Sequence, residues 1–92
     1  MLNKRIKELR LSHGLNQVNF AKKLSVTKQT VSNWENNNIQ PSVDMLVKIA
    51  DYFSVSTDYL LGRDDAPILR VDGLTQTETA HIEQLIHDLR IK

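Results

Sequence analysis

The strongest constraint in the sequence is a pair of short amphipathic segments, residues 17–24 and 28–36, with only three or four residues between them. Each segment repeats apolar side chains at the helical spacing, and Thr27 can cap the second one. Two short helices joined by so tight a turn must cross steeply, which requires a small residue where they approach and apolar residues around it. The positions that meet this requirement are Phe20, Ala21, Leu24, Val26, Val31 and Trp34. The pattern predicts an all-α fold built around this helix pair.

Two longer amphipathic segments flank the pair. A first helix is expected over residues 2–12, and His13-Gly14 should end it. Its apolar face comprises Leu2, Ile6 and Leu9. A fourth helix should begin after Pro41-Ser42, with one face buried throughout. That face comprises Val43, Leu46, Ile49, Ala50 and Phe53.

A short fifth helix is expected to close the bundle. Ser56 can cap it, Leu60 and Leu61 should point inward, and Gly62 supplies a left-handed stop. We therefore predict that residues 1–63 form one domain with five helices.

A final helix is predicted in residues 75–92, beyond a linker at residues 64–74. Thr75 and Glu78 have the spacing of a capping box, and the helix continues towards Arg90. A lone helix of this length is only marginally stable in water, so its apolar stripe must be covered. The stripe comprises Ile82, Leu85, Ile86 and Leu89. We favour pairing with the same helix of a second chain, and the alternatives are packing on the bundle or binding a different protein.

Composition excludes several classes of protein. The chain has no cysteine, so its core depends on packing, without disulfides or thiolate metal sites. No apolar run approaches the roughly 20 residues of a membrane span, and the charged start lacks the apolar centre of a signal peptide, so a soluble cytoplasmic protein is expected. Residues 1–63 carry nine Lys/Arg and five Asp/Glu, a formal charge of +4, whereas the remainder carries −3. A positive field over the first part suits a polyanionic partner.

The outward side of the third helix carries amides, hydroxyls and a lysine, where an ordinary soluble helix is rich in glutamate. This face comprises Lys28, Gln29, Ser32, Asn33 and Asn36. Gln and Asn pair bidentately with adenine, Lys pairs with guanine, and Ser pairs with either. The face therefore indicates a surface that reads DNA bases, and the alternative is a solvated helix face without a ligand.

A long part of the sequence resembles the helix-turn-helix of the Xre family, which includes the lambdoid phage repressors and Cro proteins. The matching stretch reads QVNFAKKLSVTKQTVSNWENNNIQPSVDMLVKIADYFSVSTDYLLG, and the likeness covers roughly residues 3–62. Its specific pieces are SNWE, the Pro41-Ser42 start and the VSTDYLLG ending. The resemblance implies a five-helix lambda-repressor-like bundle whose third helix enters the major groove, in a protein that binds two-fold symmetric operators as a dimer.

The resemblance also implies roles for single residues. Base edges would be contacted by Lys28, Gln29 and Asn33, with Ser32 at the margin. Phosphates would be contacted by Asn16, Gln17, Thr27 and Asn36. A partly buried ion pair would join Arg10 to Glu35. Ser25 departs from the family pattern, in which this turn often has glycine, so either Ser25 is strained or the turn differs.

Other readings of individual residues carry less weight. Trp34 could stack on a nucleotide, but its inward position favours the core. His81 and His87 lie near Glu83, yet no third ligand of the right type shares their face, so we expect exposed side chains and no metal site. No Ser/His/Asp or Cys/His constellation is present, and we expect no enzymatic activity and no cofactor.

Together these features predict a sequence-specific DNA-binding transcriptional regulator. We expect a phage- or bacterial-type repressor, including one of prophage origin, that binds its operator as a homodimer. An anti-repressor protein is a further candidate partner for the C-terminal stripe. The alternative function is a DNA-binding antitoxin or anti-repressor whose C-terminal segment binds a protein partner.

Overall fold

The structure is a computed structural model that describes residues 2–64 and 68–91. Over these ranges it contains six α helices and no strand, so the predicted all-α fold of five helices followed by a C-terminal helix is confirmed. The helices are Leu2–Ser12 (α1), Gln17–Leu24 (α2), Lys28–Glu35 (α3), Val43–Phe53 (α4), Thr57–Leu60 (α5) and Gln76–Arg90 (α6). None of the described helices is long and apolar enough to cross a membrane.

The helices begin where local capping dictates. From α2 onward, each helix is preceded by a residue whose side-chain oxygen accepts a backbone N–H three residues later, which satisfies one of the free donors of the first turn. These caps are Asn16, Thr27, Ser42, Ser56 and Thr75. Thr75 and Glu78 bond reciprocally, and the predicted capping box is confirmed.

A single core is built from residues of the segment that runs from α1 to α5. Its buried members are Ile6, Phe20, Ala21, Leu24, Val31, Trp34, Ile49, Ala50, Phe53, Val55 and Leu60. Five of the six residues expected at the crossing of α2 and α3 are among them, and Val26 packs partly buried against the cluster. Trp34 is only 4% exposed, so it belongs to the core and cannot stack on a nucleotide.

The turn between α2 and α3 has the left-handed backbone that glycine favours. Ser25 has φ 59° and ψ 40°, and its N–H bonds to the carbonyls that end α2. Of the two alternatives left open for Ser25, the structure has the strained one. The next residue, Val26, donates its N–H to the Ala21 carbonyl at 2.9 Å, which completes the C-cap.

Two residues expected to point inward are exposed. Val43 is 76% exposed because it is the first residue of α4, and the buried part of that helix is its C-terminal half, from Ile49 onward. Leu61 is 42% exposed while its neighbour Leu60 is fully buried. Consecutive helical positions point in directions about 100° apart, so both leucines cannot face the same core.

Basic side chains join helices by donating to backbone carbonyls. Lys48, on α4, donates from Nζ to the Leu24 carbonyl at the end of α2, at 2.6 Å. Arg5, on α1, donates from Nη1 to the carbonyls of Tyr59 and Asp64, both at 2.9 Å, and its guanidinium carbon lies 4.1 Å from the centre of the Tyr59 ring. Part of the positive charge of the bundle therefore has a structural role.

Residues 68–74, which we call the strap, run along the bundle before α6. The Arg70 N–H donates to the Ser54 carbonyl at 3.2 Å, and Arg70 Nη1 lies 2.7 Å from Asp51 Oδ1 on α4. The predicted linker also includes residues 65–67, which lie outside the described residues. Residue 1 of the predicted domain and residue 92 of the predicted C-terminal segment also lie outside them. No residue of α6 is buried.

Candidate nucleic-acid interface

The outward face of α3 is largely open to solvent. Lys28, Gln29 and Asn36 are exposed, and Ser32 and Asn33 are partly exposed. Val31 and Trp34 occupy the opposite side of the helix and are buried in the core. The helix therefore presents its polar side chains to solvent from a rigid apolar base.

Two side-chain hydrogen bonds organise this face. Gln29 Nε2 donates to Asn33 Oδ1 at 3.0 Å, and Asn36 Nδ2 donates to Ser32 Oγ at 3.2 Å. Each bond spans four residues, which are neighbours on a helix surface. Gln29 keeps its Oε1 acceptor and a second N–H, the two groups that a bidentate contact with adenine requires. Its amide is thus held in one orientation while remaining able to bind.

The start of α3 contains a further polar pair. Thr27 Oγ1 caps the Thr30 N–H at 3.1 Å, and the two threonine hydroxyls are 2.8 Å apart. Thr30 was not among the predicted site residues, although its position three residues after the cap places it on the same side as Thr27. The T-x-x-T spacing of Thr27 and Thr30 is the sequence signal from which this pair could have been predicted.

The start of α2 has both free and occupied polar groups. Asn16 Oδ1 accepts the Asn19 N–H at 2.7 Å, which leaves the Asn16 amide N–H groups available. Gln17 Nε2 instead donates to Glu35 Oε1 at 3.1 Å. The Gln17 side chain is therefore partly committed to the protein, and its backbone N–H, in the first turn, is the group free of a helical partner.

An almost buried ion pair fixes α3 to α1. Arg10 Nε donates to Glu35 Oε2 at 2.6 Å and Nη2 donates to Glu35 Oε1 at 2.9 Å, while Nη1 donates to the Leu15 carbonyl at 2.8 Å. Arg10 is 6% exposed and Glu35 is 7% exposed. With the Gln17 bond, this network connects α1, the start of α2 and the end of α3, so the two helices that face a ligand are held in one frame.

The electrostatics of the helix ends favour an anion here. The first turns of α2 and α3 contain no acidic residue, whereas those of α4, α5 and α6 carry Asp44, Asp58 and Glu78. The partial positive charge at a helix N-terminus attracts phosphate when no carboxylate neutralises it. Two such ends therefore lie in the candidate interface.

No metal centre accompanies this face. Among the described residues, no group of three or more His, Asp or Glu side chains could hold a metal ion. His81 and His87 are exposed on α6.

Comparison with known families identifies the bundle. Residues 6–60 match the family model described as Helix-turn-helix. The chain is 42% identical over 85 residues to the HTH-type transcriptional regulator ImmR of Bacillus subtilis (strain 168), covering 91% of this chain and 67% of ImmR. It is 33% identical over 64 residues to the antitoxin PezA of Streptococcus pneumoniae, covering 70% of this chain and 40% of PezA.

A solved structure agrees with this match. The P22 c2 repressor protein in complex with a synthetic operator superposes with a TM-score of 0.65 and 26% sequence identity. The likeness covers 70% of this chain and 97% of the repressor chain. The predicted lambda-repressor-like architecture is confirmed.

Proposed function

The chain belongs to the helix-turn-helix family of DNA-binding transcriptional regulators, which is not a class of enzymes, and on that premise we propose that it is a repressor that reads a two-fold symmetric operator through α3. The observation that carries the proposal is the exposed amide face of α3 on a base fixed by the Arg10–Glu35 pair. Occupying an operator that overlaps a promoter requires no cofactor and no chemistry. The P22 c2 repressor, bound to an operator, supports this choice among regulators.

The side chains on the exposed face of α3 would select the DNA sequence. In the major groove, Gln29 and Asn33 offer amides to adenine, Lys28 offers donors to guanine O6 and N7, and Ser32 pairs with either base type. The hydrogen bond from Gln29 to Asn33 makes the two amides one reading unit. Together these side chains select the half-site.

Positioning on the duplex falls to helix ends and neutral side chains. Asn16 and Gln17 at the start of α2, Thr27 at the start of α3 and Asn36 at its end would contact phosphates on either side of the groove. For Gln17 the backbone N–H and the second N–H of the side-chain amide are the donors that remain for a phosphate, since one amide N–H is bonded to Glu35. These contacts set the register of α3 without carrying sequence information.

A homodimer matches an operator with two half-sites. A second linked head raises the effective concentration at the other half-site, so modest affinity per head suffices. The apolar stripe of α6, formed by Ile82, Leu85, Ile86 and Leu89, is the surface that we assign to this pairing. Relief of repression would then come from dissociation, a ligand or an anti-repressor protein.

Selection of bound duplexes from a random DNA pool tests the proposal. We expect one enriched sequence with two-fold symmetry. On that sequence Gln29→Ala should cost about 1–3 kcal/mol of binding free energy and relax selection at one base pair. Gln84→Ala is the matched control, because Gln84 makes a similar i, i+4 bond on α6, to Asp88 at 2.8 Å, away from α3. Equal loss on the selected sequence and on random DNA would contradict base reading by Gln29.

A second candidate is a DNA-binding antitoxin whose C-terminal segment binds a toxin, and the similarity to the antitoxin PezA favours it. In this case the stripe of α6 would be covered by a protein of different sequence. Co-purification from the native host, with and without Ile86→Asp, separates the two candidates. A stoichiometric partner lost with Ile86→Asp supports the antitoxin, whereas self-association alone supports the repressor.

A further inference from the structure

The C-terminal part of the chain carries apolar surface that the bundle does not cover. Of the strap, Ile68 is 63% exposed and Leu69 is 55% exposed. Of α6, Leu85 is 57% exposed and Leu89 is 55% exposed. A helix of 15 residues without a buried side chain lacks the packing that stabilises helices in water. An additional surface must cover this region in the folded state.

The strap and α6 form the two walls of an apolar groove. The groove has a volume of about 570 Å³. Ile68, Leu69 and Val71 line one wall, and Ile82 and Ile86 line the other. Arg70 fixes the strap to α4 through Asp51, so this wall is anchored to the DNA-binding bundle. On α6 the lining extends from Thr79 to Arg90, roughly 16 Å along the helix axis, which suits a helical occupant.

The charges at the edge of the groove identify that occupant. Glu83 and Arg90 both line it, and they are seven residues apart, so they lie on the same edge of α6. Within one helix their separation is about 10 Å along the axis, too far for a direct pair. In a two-fold antiparallel pair of helices the same edges of both copies face each other, so Glu83 of each copy meets Arg90 of the other. In a parallel pair the same edges face apart.

We propose that a second copy of this chain fills the groove with its own α6, in antiparallel orientation, so that two reciprocal Glu83–Arg90 pairs close the interface. The apolar walls supply the attraction, and the self-complementary charges supply orientation, as expected for an isologous contact. This interface rests on the proposed function, because it provides the two linked heads that a symmetric operator requires.

The pairing fixes the register of the two helices. If Glu83 is level with Arg90 of the other copy, the two-fold axis passes between positions 86 and 87. The two Ile86 residues then lie within roughly 1.5 Å of each other along the axis, whereas the two Ile82 residues are about 13 Å apart. This difference separates antiparallel from parallel pairing.

Charge exchange in the full chain, without DNA, tests the interface. By sedimentation equilibrium at low salt, we expect Glu83→Arg and Arg90→Glu each to weaken dimerisation by about tenfold, because each replaces two attractions by two repulsions. The double variant Glu83→Arg/Arg90→Glu should restore the wild-type dissociation constant. Asp88→Arg, on the far side of α6, is the matched control and should change it less than about threefold.

Single cysteines give a second readout, since the chain has none of its own. Under mild oxidation we expect Ile86→Cys to form a covalent dimer and Ile82→Cys to remain monomeric on a non-reducing gel. Equal cross-linking at both positions would show parallel pairing and overturn the proposal. A monomeric wild-type chain, or a double charge variant no better than either single one, would overturn it as well.

The outcomes are distinguishable from failure of the proposed function. Loss of the interface leaves the contacts of α3 in place. If the chain is monomeric and its binding to a half-site still depends on Gln29, only the dimer proposal is rejected. A dimer with the expected charge behaviour and no sequence selection would reject only the operator proposal.

Discussion

The carboxylate of Glu35, near the end of α3, receives two hydrogen bonds from the guanidinium of Arg10 on α1, at 2.6 and 2.9 Å. Both residues are more than nine-tenths buried. A third donor, Gln17 Nε2, reaches the same carboxylate from the start of α2 at 3.1 Å. A buried charge is tolerated only when it is paired and its remaining groups are hydrogen-bonded, and this pair meets both conditions. The network therefore holds the two helices of the candidate interface in a single geometry.

Breaking this pair from one side should destabilise the fold strongly. Arg10→Met leaves a buried carboxylate without its cation, and we expect a loss of about 3–5 kcal/mol in the free energy of unfolding, measured with urea. Arg10→Met/Glu35→Leu should recover most of that loss, because an apolar pair has no charge to desolvate. Arg63→Met is the control, since its 3.9 Å pair with Asp58 is exposed and should contribute less than about 1 kcal/mol. An Arg10→Met variant as stable as Arg63→Met would contradict the role of the buried pair.

The joined amides of α3 should behave as a unit on DNA. Because Gln29 is oriented by Asn33, removal of either should disturb both base contacts, and the double variant Gln29→Ala/Asn33→Ala should lose less than the sum of the single ones. A coupling of about 0.5–3 kcal/mol is expected for residues in contact. Fluorescence anisotropy on the selected operator measures the cycle. Strict additivity would show that the bond does not persist on DNA.

The left-handed turn after α2 offers a stabilising change. Ser25 has φ 59°, a conformation that costs an L-residue about 1 kcal/mol and glycine almost nothing. We expect Ser25→Gly to raise the free energy of unfolding by about 0.5 kcal/mol, after the added entropy of the unfolded chain is subtracted. Lys23→Gly, inside α2, should lower it by roughly 0.7 kcal/mol. Thermal unfolding shows whether each variant is more or less stable than the wild type. A destabilised Ser25→Gly would contradict the claim that Ser25 is strained.

The ion pair between Arg70 and Asp72 within the strap should depend on pH in the acidic range. Hydrogen bonds from the Arg70 guanidinium, followed by a backbone hydrogen bond and the positive charge of Arg70, lower the pKa of Asp72 from its ordinary value of 3.8. Since the pairing with Arg70 lowers the pKa of Asp72, the contact is fully present above pH 3.8 and is lost as the pH falls through the lowered pKa. In an NMR titration, Arg70→Met should raise the Asp72 midpoint towards its ordinary value, because only the backbone hydrogen bond still lowers it. Arg90→Met, the control, should leave the midpoint lowered.

Much of the fold follows from short-range patterns. The starts of α2, α3 and α6 were predicted from Asn16, Thr27 and Thr75, because a cap bonds to an N–H only three residues away. The polar side of α3 was predicted for the same reason, since helical periodicity alone separates Gln29 and Asn33 from the buried Val31.

Sequence patterns were wrong, or contained no information, where a neighbour in space decides the outcome. Val43 fits the apolar period of α4, yet the core does not extend to the first turn of that helix. Leu61 is adjacent to Leu60, and two consecutive helical positions cannot both face the core. The bond from Gln17 to Glu35 spans 18 residues along the chain, and periodicity contains no information about such a contact. Arg70 lies in the predicted linker, and the sequence pattern does not show its pairing with Asp51, 19 residues earlier in the chain.

What the sequence determined alone, then, is the set of helices, their caps and the polar side of α3, because these depend on interactions within about one helical turn. What only the tertiary structure decided is the state of those side chains: which amides are occupied, which carboxylate is buried, and which wall the strap forms beside α6. These depend on distances between segments remote in the chain, and such distances exist only once the core has packed.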